Sequence, residues 1–220
     1  MISVSSAIDE IISNSPYLDE ALSEGLINIS ALARSIMPEV ERLTKKKIKE
    51  SAVVMALHRR PSGHAFKVSK WLKTYISSMG DIIVRSGLSD HTFENSASLI
   101  SCQRQLMKII SKENDLFCTF SQGIRETTIV ASNILSDSID KIFESEKRLT
   151  KKTGLGSITL LLPKNNTEIS GVYFVILKQL AWAGINICEI ISTSNEVSLI
   201  FSEQEVSKAF PILMNLKRKQ

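Results

Sequence analysis

Histidine and cysteine are the side chains best suited to hold a metal or attack a carbonyl. The chain has three of each: His58, His64, His91, Cys102, Cys118 and Cys188. Metal sites need such ligands at short, repeated spacings, and these six are dispersed. His58 lies in a basic run and reads as a surface residue; His64 and His91 lie near breaks or strand ends and read as loop residues. Cys188 has no base beside it in sequence and reads as a core cysteine. There is no glycine-rich phosphate loop followed by Lys-Ser/Thr, and no dinucleotide fingerprint. The chain is therefore expected to be no enzyme, with no catalytic residues, no metal and no cofactor.

The residues that could do other chemistry are basic. Residues 1–29 carry five acids and no Lys or Arg, whereas residues 30–75 carry eleven Lys/Arg and three acids. The net charge of +4 thus arises from one block. Lys45, Lys46, Lys47, Lys49, Arg59 and Arg60 are its candidate phosphate contacts, which makes DNA a candidate partner. The plain alternative is a solvated helix face. An odd number of cysteines among apolar neighbours argues against a disulfide framework and for a reducing, cytoplasmic compartment. No basic stretch opens a secretory signal and no apolar run is long enough for a bilayer, so no membrane partner is expected.

The elements that must position these groups follow from periodicity. The first 77 residues read as helices: one through Ile8, Ile11 and Ile12, one started by Ser15-Pro16, a short one from Ser30 to Ile36 that Pro38 ends or kinks, unless Pro38 starts the next, one from Lys47 to Arg59, and one from Ala65 to Ser77. Short helices followed by a longer basic one are the outline of a helix-turn-helix, with the helix from Ser51 to Arg60 as reader. A plain helical packing module has the same outline.

Residues 78–150 read as strand (Asp81–Arg85), helix (Ser98–Ser111), strand (Leu116–Ser121), strand (Thr127–Ala131) and helix (Leu135–Phe143). Residues 155–218 repeat that order: Ile158–Leu162, Gly171–Ala183, Ile185–Ser192, Val197–Phe201 and Gln204–Leu216. Two copies of one order suggest an internal duplication. Lys147–Gly154 is either a connector or a fourth strand of the first copy. The fold class is α+β, a helical domain followed by two ferredoxin-like βαββα modules.

The second copy resembles the ACT domain, best known from the regulatory tail of aspartokinase. Gly171-Val172 opens its helix after a strand and loop. Ala183-Gly184-Ile185-Asn186-Ile187 is similar to the family's Gly-Ile-Asn-Ile passage, and Ile191-Ser192-Thr193-Ser194 to its Ile-Ser-Thr-Ser turn. The spacing between the last two is one residue longer than in aspartokinase. No kinase domain is present in this sequence. The resemblance implies a ligand between the loop before the helix and the second strand of a neighbouring module. It nominates Ile169, Ser170, Gly171, Val172, Asn186 and Ile187 as ligand-binding residues.

Chemistry agrees with that nomination. A helix start presents unpaired N–H groups and a positive dipole end, glycine lets a ligand close to the backbone, and asparagine both donates and accepts. An amino acid or similar small carboxylate is the implied ligand. The helix from Gly171 is apolar nearly all round, which requires cover on both sides: its own sheet, and a second module of the same chain or of a partner chain. The resemblance implies that such modules pair, so a homodimer is expected. The expected function is a non-catalytic, amino-acid-responsive regulator with DNA binding as its candidate output. The alternative is a ligand-free ACT scaffold that dimerises and regulates a partner enzyme.

Overall fold

Side-chain caps set the first helices. In the computed structural model, which describes residues 2–60, 72, 74–113 and 115–218, Ser3 accepts from the Ser6 N–H and starts α1 (Val4–Ser13). Pro16 opens α2 (Pro16–Ser23). The cap of α3 (Ile29–Thr44) is Asn28, whose Oδ1 accepts from the Ala31 N–H at 3.0 Å, and not Ser30. Nor does Pro38 end this helix. The ring removes one backbone hydrogen bond, but buried Leu32, Ala33, Ile36 and Val40 hold both halves against one core. Lys45, left-handed at φ 54, ends it, and α4 (Glu50–Arg59) follows. These four helices belong to the unit Met1–Thr74, around a core of Ile8, Ile12, Val40, Val53 and Leu57. Of the expected last helix, residues 65–71 and 73 lie outside the described residues; 74–77 are helical.

The second unit, Tyr75–Gln220, is built on one antiparallel sheet of six strands in the order β2-β3-β1-β4-β6-β5. Its elements are β1 (Ile82–Glu94), α5 (Leu99–Ile110), β2 (Cys118–Gln122), β3 (Glu126–Ser132), α6 (Ser136–Ile142), β4 (Arg148–Leu161), α7 (Val172–Trp182), β5 (Glu189–Ser192), β6 (Glu196–Ser202) and α8 (Glu203–Arg218). The βαββα order thus occurs twice, as expected, but two strands are far longer than their apolar runs. Alternation stops at Arg85 because Ser86-Gly87 looks like a break. Gly87 instead adopts φ 68 and lets β1 run on through an irregularity between Arg85 and Leu88. The stretch left open as connector or fourth strand is strand: Thr150, Lys151 and Lys152 pair with Thr92, His91 and Asp90.

Each long strand serves both halves. The C-terminal part of β1 pairs with β3, and the C-terminal part of β4 with β6. The N-terminal part of each completes the other half across the β1–β4 seam. Helices α5 and α6 pack on Phe93, Ile129 and Ala131, while α8 lies on β4 and β6 and against α7. On the opposite face Leu88, Val130, Leu155 and Ile200 form a small buried cluster. Matching hydroxyl pairs flank it: Thr92 with Thr128 at 3.0 Å and Thr159 with Ser198 at 2.7 Å.

Candidate ligand site

The loop between β4 and α7 carries most of the nominated residues. Leu162 N–H donates to the Asn195 carbonyl at 2.7 Å, which fixes the loop to the turn between β5 and β6. A short 3-10 turn, Asn166–Glu168, follows. Asn166 is 4% exposed; its amide donates to the Ser194 carbonyl at 3.5 Å, and its Oδ1 has no partner. Gly171, at φ 90, caps α7 without any side-chain hydrogen bond. A residue with a Cβ would be strained there, because L side chains rarely adopt this backbone. Ile169 and Gly171 are half-buried, Ser170 exposed and Val172 buried. One loop thus carries both the uncapped start of α7 and a buried, unsatisfied acceptor.

Asn186 and Ile187 do not join them. Both follow the far end of α7, an 11-residue helix, so roughly 16 Å of helix axis lies between the two groups. The sheet order also puts β2 and β5 on opposite edges. Within one chain, β2, the second strand of the neighbouring module, thus lies at the edge away from β5 and from the β5–β6 turn that holds the loop before α7. The outer side of α7 carries exposed apolar side chains: Tyr173, Phe174 and Trp182 are 37%, 47% and 69% exposed. Lys178 Nζ lies over the Phe174 and Trp182 rings at 5.5 and 4.7 Å.

Two polar clusters in the first half carry no sequence signal. His91, expected in a loop, is wholly buried in β1. Its Nε2 meets Ser89 Oγ at 3.0 Å, and its Nδ1 lies 3.9 Å from Asp140 Oδ1 on α6. Asp140 also pairs with Arg148 and Lys151, each at 2.7 Å. Burial, then the Arg148 and Lys151 charges, push the imidazole down to about 4. The Lys151 hydrogen bond holds the Asp140 carboxyl below the usual aspartate range. At the start of α5, Ser96 Oγ donates to Glu146 at 2.5 Å and accepts from the Leu99 N–H at 3.2 Å. Residues so distant in sequence announce no partnership by spacing.

In the helical unit, Lys45, Lys46, Lys47, Lys49 and Arg59 are exposed. The nominated Arg60 is engaged elsewhere: its guanidinium pairs with Asp9 at 2.9 Å and with the buried Asp19. Its desolvation is outweighed by these two carboxylates, which raise its pKa. Among the described residues, no three His, Cys, Asp or Glu side chains are grouped to hold a metal ion, and no helix is long and apolar enough to cross a membrane.

No family profile matches the chain, and no curated protein matches it in sequence. Solved structures do match. The regulatory subunit of aspartate kinase from Thermus thermophilus, in its ligand-free form, aligns with a TM-score of 0.52 at 8% identity, over 63% of this chain and 99% of that one. The aspartokinase alpha and beta subunit structure aligns with a TM-score of 0.50 at 12% identity, over 64% of this chain and 100% of that one. The aspartate kinase of Clostridium acetobutylicum gives a TM-score of 0.51 at 15% identity, over 63% of this chain. Only 34% of that enzyme's length is matched. At these identities the likeness is one of fold: the sheet unit has the architecture of aspartokinase regulatory, ACT-type domains.

Proposed function

We propose that this chain is a non-catalytic regulatory protein that binds a small carboxylate, an amino acid, through its second ACT-like module. The observation that carries the reading is the start of α7. Backbone donors at Val172, next to a glycine that leaves room for close approach, lie in the same loop as Asn166, whose buried Oδ1 lacks a donor. A carboxylate suits the helix start and an ammonium group suits the Asn166 oxygen. The ACT-like architecture supports the same reading. The boundaries 78–150 and 155–218 for the two modules belong to it, with β1 and β4 each lending a half to the other module.

The ligand residues are Ile169, Ser170, Gly171 and Val172 of one chain with Asn186 and Ile187 of a second copy. The helix length between the two groups favours that division, and the exposed Tyr173, Phe174 and Trp182 supply an apolar surface for a homodimer. The exposed lysines before α4, with Arg59, suit phosphates, so DNA binding is the output that we assign to the helical domain. A scaffold that dimerises without a ligand and acts on a partner enzyme is the second reading; the same apolar face favours it.

Thermal shift of the full chain against the twenty amino acids tests the first reading. A ligand at ~100 times its dissociation constant adds roughly 2.7 kcal/mol. A selective rise in melting temperature that Gly171→Trp abolishes is the expected result. No shift with any of the twenty overturns ligand binding and leaves the scaffold.

A further inference from the structure

The two modules place their first helices alike, yet the starts of α5 and α7 differ in one respect. At α7 the loop's acid, Glu168, is exposed, and Gly171 has no capping side chain. At α5 an acid of the chain itself is in place. Glu146 is 8% exposed. One carboxylate oxygen accepts from Ser96 Oγ at 2.5 Å, and the other lies 3.8 Å from Cys102 Sγ in the first turn of α5. Ser96 in turn accepts from the Leu99 N–H, so the carboxylate is coupled to the helix start through one hydroxyl. Hydrogen bonds from Ser96, Ser98 and Cys102 hold the carboxyl below the usual glutamate range.

The matching position of the second module cannot do this. Strand registers equate Ala131, the partner of Ser89, with Phe201, the partner of Gly156, and the same sequence offset aligns Cys118 with Cys188. The same spacing equates the buried Ile139 and Phe143 of the first module with the buried Ala209 and Leu213 of α8. Carried three residues on, it brings Glu146 to Leu216, an apolar residue. The difference begins in helix length. α6 stops at Ile142, and a turn from Glu146 N–H to the Phe143 carbonyl, at 3.0 Å, folds the acid back. α8 continues to Arg218.

We propose that Glu146 is a built-in occupant of the first module's ligand position, so that each chain offers one carboxylate site, at α7, and not two. This rests on the ligand reading of the second module, but its test does not need that ligand. Glu146→Ala leaves a space lined by Ser96, Ser98 and Cys102 that fits a small carboxylate. The full chain is melted with sodium propionate and with sodium chloride at equal ionic strength. Glu146→Ala melts lower than the parent, and propionate restores at least half of the loss. The parent and Glu146→Gln gain nothing comparable, because their side chains fill the space. Absence of rescue, or equal stabilisation of all three proteins, overturns the proposal.

If Glu146→Ala does not fold, Glu146→Gln carries the test through pH. The parent loses stability as pH falls through the depressed Glu146 range, and the variant lacks that part of the loss. Identical acid limbs overturn the proposal. Should the amino-acid screen fail while propionate rescues Glu146→Ala, the ligand reading of α7 falls and the occupancy by Glu146 stands.

Discussion

Leu88 and Leu155 are direct partners across the β1–β4 seam, and each follows a glycine in the left-handed region, Gly87 at φ 68 and Gly154 at φ 65. The pair lies on an approximate two-fold axis of the sheet. Arg85 pairs with Ser157 on one side of it, and Asp90 with Lys152 on the other. Leu88 pairs onward with Ser132 and Leu155 with Ser202. The duplication is therefore a symmetry of one sheet, and neither half has all its strands without the other.

Equal backbone strain on the two sides of this axis has a measurable consequence. An added Cβ meets nothing closer than 4.0 Å at Gly87 and nothing within 4 Å at Gly154. Replacement by alanine thus acts through backbone conformation alone. Gly87→Ala and Gly154→Ala should each cost about 1–2 kcal/mol, by nearly the same amount, in urea unfolding of the full chain. A large inequality between them would contradict the symmetry.

Neutral burial of His91 makes stability depend on pH. Its folded-state pKa, about 4, lies below its ordinary value of 6.5. The unfolded chain therefore takes up the proton first as pH falls. Stability is full above pH 6.5 and declines as pH drops from there to about 4, by up to about 3 kcal/mol. In the second module the equivalent residue is the buried Ile158. His91→Ile should flatten the decline in that window, as read by melting temperature against pH. The Asp140 ion pairs give a separate loss below the usual aspartate range, because that carboxyl's pKa is lowered.

Arg60 and the lysines before α4 should separate cleanly by experiment. Arg60 bridges Asp9 and Asp19, with 13% of its side chain exposed against 9% for Asp19. Arg60→Ala strands a buried carboxylate and should destabilise the helical unit by about 3 kcal/mol. Lys45→Ala, Lys46→Ala and Lys47→Ala should leave melting unchanged. If these lysines contact phosphates, each removal lowers the slope of log affinity against log salt by about 0.9. A slope that ignores all three replacements removes DNA from the reading.

The outer face of α7 predicts the oligomer. Phe174→Glu and Trp182→Glu place charge on an exposed apolar face without touching the buried Val172, Ile176 and Leu180. Light scattering should find a dimer for the parent chain and a monomer for the double variant, with circular dichroism unchanged. A monomeric parent would sink both the dimer and the shared ligand site.

Much of the fold follows from local pattern. Two apolar periods, 3.6 in the helices and 2 in the strands, mark the repeated βαββα order and the start of α7 at Val172. The internal repeat is present in the residues themselves: Ser86-Gly87-Leu88 against Thr153-Gly154-Leu155, and Cys118 against Cys188. It is hidden because each glycine looks like a break, while strand pairing on both sides holds it in the sheet. Ser30 makes as good a cap on paper as Asn28; the side chain that reaches the Ala31 N–H decides between them.

By itself, then, the sequence determines the α+β class, the element order, the basic block and the glycine that opens α7, since each depends on neighbours a few residues apart. Only the tertiary structure decides that β1 and β4 complete one another, that Asp9 and Asp19 take Arg60, that His91 is buried, and that Glu146 closes the start of α5. It also places Gly171 and Asn186 at opposite ends of one helix. The reason is physical: charge pairing, burial and strand exchange depend on which distant segments meet, and local periodicity carries no record of those encounters.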